Sequence, residues 1–266
     1  MQASQQMNFP VPGRVLKSVL GLLFAIWLVL ALAINWGGVA DSAFWRWTGD
    51  SSAVARGEVW RLITAPFMHL PSGSIGHILG SLIGLYFLGA PLENAWGGRR
   101  FAWFLFWSGT LAYAIQFGAS LVLPASVMAN LAYDNYFGAT PVIYAVAIAW
   151  ASSFKGQKVM LMFVLPVSSR ALIWITVGAG LMVLIAGGKT PAGHVASFAG
   201  MGLGYLLGGG TPSPLRQVLL RYKLASLERR VESERRGRRT RASKAGLKVI
   251  TGGRDDNGPR KNGMLH

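Results

Sequence analysis

Long apolar runs separated by short polar stretches set the pattern of this chain. Residues 19 to 36, VLGLLFAIWLVLALAINW, follow Arg14 and Lys17 and end at Trp36, a residue type favoured at the membrane interface. A secretory leader has an apolar core of about 7 to 15 residues. This run is longer, so it predicts a retained transmembrane helix rather than a leader cut after Ala31-Leu32-Ala33. Further apolar stretches at 75 to 92, 101 to 123, 138 to 154, 159 to 186 and 192 to 209 bring the candidate spans to six. The stretch 138 to 154 is shorter than the roughly 20 residues a lone span needs, and Pro166 and Arg170 interrupt the start of the fifth. Short spans are tolerated where neighbours shield them, and Ala196, Gly200, Gly204 and Gly208 recur at the spacing that lets two helices approach closely.

The pattern therefore predicts an all-α, polytopic membrane protein, a bundle of six transmembrane helices. Its parts are an N-terminal segment over 1–18, the membrane domain over 19–210 and a basic tail over 211–266. Composition agrees: 52% of the residues are hydrophobic and 14% charged, against roughly 25% charged in a soluble domain. With no cysteine there is neither a disulfide framework nor a thiolate metal site. The histidines, His69, His77, His194 and His266, show no metal-ligand spacing. We expect no metal and no cofactor.

Charge orients the bundle. Arg14 and Lys17, Arg99 and Arg100, Lys155 and Lys158, and the tail fall on one side of the alternating spans, which predicts that both termini are cytoplasmic. The opposite side holds Arg46, Arg56 and Arg61 balanced by Asp41, Asp50 and Glu58, a segment around Asp134, and Lys189. Between the first two spans, residues 37 to 74 carry Trp45, Trp47, Trp60 and Phe67 and are expected to lie in the outer interface. From residue 211 onward, 15 Lys/Arg face 5 Asp/Glu. Leu220, Leu224, Leu227 and Val231 with interleaved basic residues suit a helix on an anionic lipid surface, while nucleic acid is a poor candidate partner for a membrane-tethered tail. Beyond about 235 the tail reads as disordered.

In this topology spans two, four and six all begin on the outer side, and their first turns hold His77, Thr140 and His194. Ser81 lies one turn below His77, and Tyr144 one turn below Thr140. A hydroxyl, a histidine base and a second histidine as donor can support acyl transfer in a site that excludes water. The alternative for each histidine is a polar contact between helices.

The order of Trp60-Arg61, "FMH", "GHILGSLIGLYFLG", "PLENAWGGRRF", "GATPVIYA" and "GHVASFAGMGLG" resembles the rhomboid intramembrane serine proteases over about 57 to 209. The resemblance implies His194 as base, His77 as oxyanion donor, Tyr144 as the ring stacked on the base, Gly138 opening the nucleophile turn, and Trp60 and Arg61 anchoring the first outer loop. Thr140 stands where the nucleophilic serine belongs, Pro141 where a glycine follows it, and Ser81 where an asparagine supplies a second oxyanion donor. Thr140-Pro141 is also a helix-entry signal, Thr as N-cap and Pro in the first turn, and the pair recurs at Thr190-Pro191 and Thr211-Pro212. As a nucleophile, Thr140 carries a stiff, branched side chain whose methyl obstructs the approach of a carbonyl. Two functions follow as expectations: a Thr140/His194 serine-type endopeptidase of transmembrane segments, slow or inert, or an inactive relative that binds transmembrane helices of single-span proteins and controls their fate. The plasma (inner) membrane is the expected location.

Overall fold

The computed structural model describes residues 11–73, 75–161, 165–208 and 214–244. It divides into a first unit, Met1–Gln217, and a second, Val218–His266.

The first unit opens with α1 (Arg14–Asn35). The loop that follows folds into three short helices, α2 (Ser42–Trp45), α3 (Ser51–Ala55) and α4 (Arg61–Thr64), and a 3-10 turn over Ala65–Phe67. Then come α5 (Gly76–Trp96) and α6 (Gly98–Val122), joined at Gly97, whose φ of +81° ends one helix and starts the next. A short α7 (Ala125–Leu131) precedes α8 (Thr140–Ser153), α9 (Ser169–Ile185) and α10 (His194–Gly208). Strand is confined, among the described residues, to two antiparallel pairs, β1 (Gly49–Asp50) with β2 (Asn135–Tyr136) and β3 (Lys158–Leu161) with β4 (Leu165–Ser168).

Among the described residues three helices are long and apolar enough to cross a membrane: α1, α5 and α6. The others are shorter, with 14 residues in α8, 17 in α9 and 15 in α10. The fifth apolar stretch does not begin as helix at 159: Pro166 lies in strand β4, and α9 starts only at Ser169, where the Ser168 hydroxyl accepts the Ala171 N–H at 3.3 Å.

Contacts at the helix ends show that the apolar helices alternate in direction. The Glu93 carboxylate near the end of α5 accepts the Val15 and Leu16 N–H groups at 2.9 and 3.0 Å, which caps α1 from another helix. Val15 also packs at Gly98, Trp96 at Gly208, and the Ser153 hydroxyl donates to the Gly208 carbonyl at 3.2 Å. The starts of α1 and α6 therefore share one end of the bundle with the ends of α5, α8 and α10.

At the centre, α8 and α10 run side by side almost without side chains between them. A Cβ at Gly200 would collide with the Pro141 backbone, one at Gly204 with the Ala145 backbone, and one at Gly208 with Ala149. These pairs advance by four residues on both helices, the stripe expected from the sequence, and the dispersion gained by close backbone packing helps to hold the two together.

The second unit is described over 218–244 and is helical throughout as part of α11 (Pro214–Lys244). Helix thus extends past 235, through an Arg-rich stretch that includes Gly237, with Arg236 paired to Glu232 one turn away. Residues 245–266, and the Thr211-Pro212 pair, lie outside the described residues.

Candidate active site

The turn that enters α8 is held from several sides. Gly138 has φ +103°, a conformation that side-chain-bearing residues rarely adopt. Its N–H donates to the Ala65 carbonyl at 2.9 Å, and its carbonyl accepts the buried Tyr113 hydroxyl at 2.7 Å. The His77 imidazole covers the remaining face: a Cβ on Gly138 would stand 2.7 Å from Cε1 and 2.9 Å from Nε2. One residue earlier, the Phe137 N–H donates to the Pro191 carbonyl at 2.9 Å, and β2 pairs Tyr136 with Gly49 of the α1–α5 loop. The Tyr136 ring stacks on Tyr113 at 5.5 Å, and burial pushes its hydroxyl up to about 12.

Thr140 is the first residue of α8, half-buried, with Ala139 as the capping residue and no side-chain cap. Its hydroxyl makes no hydrogen bond among the described residues, so the capping role suggested by Thr-Pro is not the one it plays. Pro141 sits in the first turn, where a missing N–H is least costly.

His194 starts α10 and is buried, and its Nε2 lies 2.7 Å from the Gly188 carbonyl. That nitrogen must therefore carry the proton and donate. Tyr144 makes no ring contact with His194 among the described residues. Gln116 of α6, fully buried, accepts the Ala196 N–H at 2.9 Å through Oε1 and so caps α10 from outside; its amide occupies the space a Cβ on Gly193 would need. An apolar groove of about 470 Å³ runs along α10 below His194, lined by Val195, Phe198, Gly202 and Leu206 with Ile115 and Leu184 opposite.

The two histidines near α5 form a cluster. Their rings are 4.9 Å apart, and the other edge of His77 meets Phe137 at 6.0 Å. Among the described residues neither nitrogen of His77 has a partner, although both are buried. His69, wholly buried in the loop before α5, places Nδ1 3.2 Å from the Phe67 carbonyl and Nε2 3.0 Å from the Ser81 hydroxyl. Ser81 in turn lies 2.9 Å from the carbonyl of His77 in its own helix. Burial, with the neighbouring His77 adding to it, pushes the His69 imidazole down to about 4, so it is neutral. Ser81 is thus turned to His69 and the helix backbone.

Trp60 is exposed and stands at the N-cap of α4. Arg61 is buried: its guanidinium bonds Glu58 at 2.7 Å and donates to the carbonyls of Trp45 and Thr48 at 2.8 and 3.0 Å. It fixes the α1–α5 loop that reaches β2, and through β2 the Gly138 turn. Tyr113, Gln116, Tyr136 and Phe137 were missed in the sequence, where none could be assigned a role. No group of three or more His, Cys, Asp or Glu side chains able to hold a metal occurs among the described residues.

Among curated proteins, none matches the chain significantly. A family model for the Rhomboid domain matches residues 56–211, from the loop that Arg61 anchors to just past the end of α10, and with more than half its length so covered the chain belongs to the rhomboid family of membrane proteins.

Proposed function

We propose that this rhomboid-family protein does not cut peptide bonds and instead binds transmembrane segments of single-span proteins, controlling their fate. The observation that carries this reading is the bond from His194 Nε2 to the Gly188 carbonyl at 2.7 Å. With Nε2–H donating there, only Nδ1 is left to act as a base, and no hydrogen bond joins His194 to the Thr140 hydroxyl among the described residues. Ser81, engaged by His69, adds to the same reading, since losing one oxyanion donor costs about 2.7–4 kcal/mol of barrier. In this account α1, α5, α6, α8, α9 and α10 are the six spans. Arg14, Lys17, Arg99, Arg100 and Lys155 mark the cytoplasmic end of a plasma (inner) membrane protein, and the tail lies on its anionic lipid.

A second reading, a slow Thr140/His194 endopeptidase, is favoured by the Gly138 turn, pinned beneath a histidine with two unpartnered nitrogens. Substitution separates the two. Thr140→Ser removes the obstructing methyl and keeps the hydroxyl. A protease limited by that methyl cleaves a single-span substrate faster as the serine variant, and loses cleavage as Thr140→Ala or His194→Ala. On the reading proposed here all three variants leave the substrate intact, and it still crosslinks to the protein in lipid.

A further inference from the structure

Where α5 turns into α6, Arg99 and Arg100 follow one another at the start of the helix, and the charge of Arg216, at the start of α11, acts on Arg100. Val15 of α1, next to Arg14, packs at Gly98 just before them. Among the described residues no carboxylate lies within ion-pair distance of Arg14, Arg99 or Arg100. The nearby Glu93 is spent on the Val15 and Leu16 N–H groups. An anion from outside the chain would relieve the repulsion between Arg100 and Arg216.

The surface there is shaped to receive one. Trp96, Gly97, Gly98, Arg99, Arg100 and Trp103 line an open groove of about 540 Å³. The Trp96 ring is fixed, edge-on to Phe104 at 5.2 Å and seated at Gly208, and the Arg100 guanidinium lies over it at 4.5 Å from its centre. Stacking holds the planar fork in place before a ligand arrives, so little rotamer freedom remains to be lost on binding. Arg99 is exposed beside it.

The far wall says what else the ligand carries. Trp103 is exposed and stacks with Trp107 one turn further along α6 at 6.3 Å, with Phe106 edge-on at 5.2 Å to Trp107. From the arginines the surface thus continues into an aromatic strip on a helix long and apolar enough to cross a membrane. A free phosphate uses only the first half of this surface. A phosphodiester with acyl chains uses both. We propose that the groove at the α5–α6 turn binds the headgroup of an anionic phospholipid, with Arg99 and Arg100 on the phosphate and Trp103 and Trp107 along the chains. The site does not depend on whether Thr140 cuts.

The test is lipid retention by the full-length protein in detergent, read by native mass spectrometry and by thermal midpoint. Phosphatidylglycerol, phosphatidylcholine with the same chains, and inorganic phosphate are the three additives. Wild type should retain phosphatidylglycerol and gain thermal stability from it, with little effect of the other two. Arg99→Gln/Arg100→Gln should weaken that retention roughly tenfold or more. Trp103→Ala should weaken it in part, and Arg229→Gln/Arg230→Gln in α11 should leave it intact. The lipid-free midpoint of each variant reports whether it folds. Retention unchanged in the folded Arg99/Arg100 variant overturns the proposal, as does equal stabilisation by phosphatidylcholine or by phosphate alone.

Discussion

Gly138 bears the most constraint of any residue near the candidate site. Its φ of +103° and the His77 ring above it leave no room for a methyl group. Gly138→Ala should destabilise the protein by about 1–3 kcal/mol, measured as a lower thermal midpoint in detergent, and His77→Ala in the same chain should recover part of the loss because the two groups touch. His69 makes a pH prediction. A histidine titrating near 6.5 when unfolded but near 4 in the fold leaves the unfolded chain binding more protons between those values. Its contribution is therefore complete above pH 6.5 and falls away as pH drops toward 4, a loss of order 2–3 kcal/mol. The midpoint should decline over that window in wild type and decline less steeply in His69→Gln; parallel declines would contradict the assignment. The sequence made His77, Thr140 and His194 visible because each is a polar residue alone in an apolar run. It misdirected Ser81, since a shared helical face places Ser81 beneath His77 but says nothing of His69 arriving from a loop 12 residues earlier. Gln116 is also a polar residue in an apolar run, but neither it nor Tyr113 could be assigned a role, because their partners, Ala196 and Gly138, are 80 and 25 residues away.

Among the elements, the α8–α10 pair was the most legible. A glycine at every fourth position needs no partner information to be read as a contact stripe, and Gly200, Gly204 and Gly208 do meet Pro141, Ala145 and Ala149. Gly204→Leu must push α10 off the Ala145 backbone. A cost of about 1–3 kcal/mol or more follows, visible as a lower midpoint or as loss of the folded protein in detergent. The cap on α1 could not be read, since Gly13 precedes the helix without a capping side chain and the carboxylate that serves comes from Glu93. Glu93→Ala should cost about 0.5–2 kcal/mol and loosen the start of α1, detectable as faster hydrogen exchange at Val15 and Leu16. The start of α9 was misplaced for a local reason. Apolar residues from 159 onward fit a strand as well as a helix, and the pairing of β3 with β4 decides for the strand.

For the whole molecule, the helix-end contacts and the basic residues point the same way. The end that gathers the starts of α1 and α6 and the ends of α5, α8 and α10 also carries Arg14, Lys17, Arg99, Arg100 and Lys155. If that end is cytoplasmic, a reporter fused after His266 is active only in a form that works inside the cell, and activity of a reporter that works only outside contradicts the topology. Family membership tells less about chemistry, because function resides in the site rather than in the fold. Here Thr140 is unpartnered, His194 donates to Gly188, and Ser81 is held by His69. The most direct measurement is to incubate the purified wild-type protein, in lipid, with a single-span substrate carrying a helix-destabilised segment. The account predicts that the substrate stays intact over hours while crosslinking to the protein. Cleavage that disappears in both Thr140→Ala and His194→Ala would contradict it.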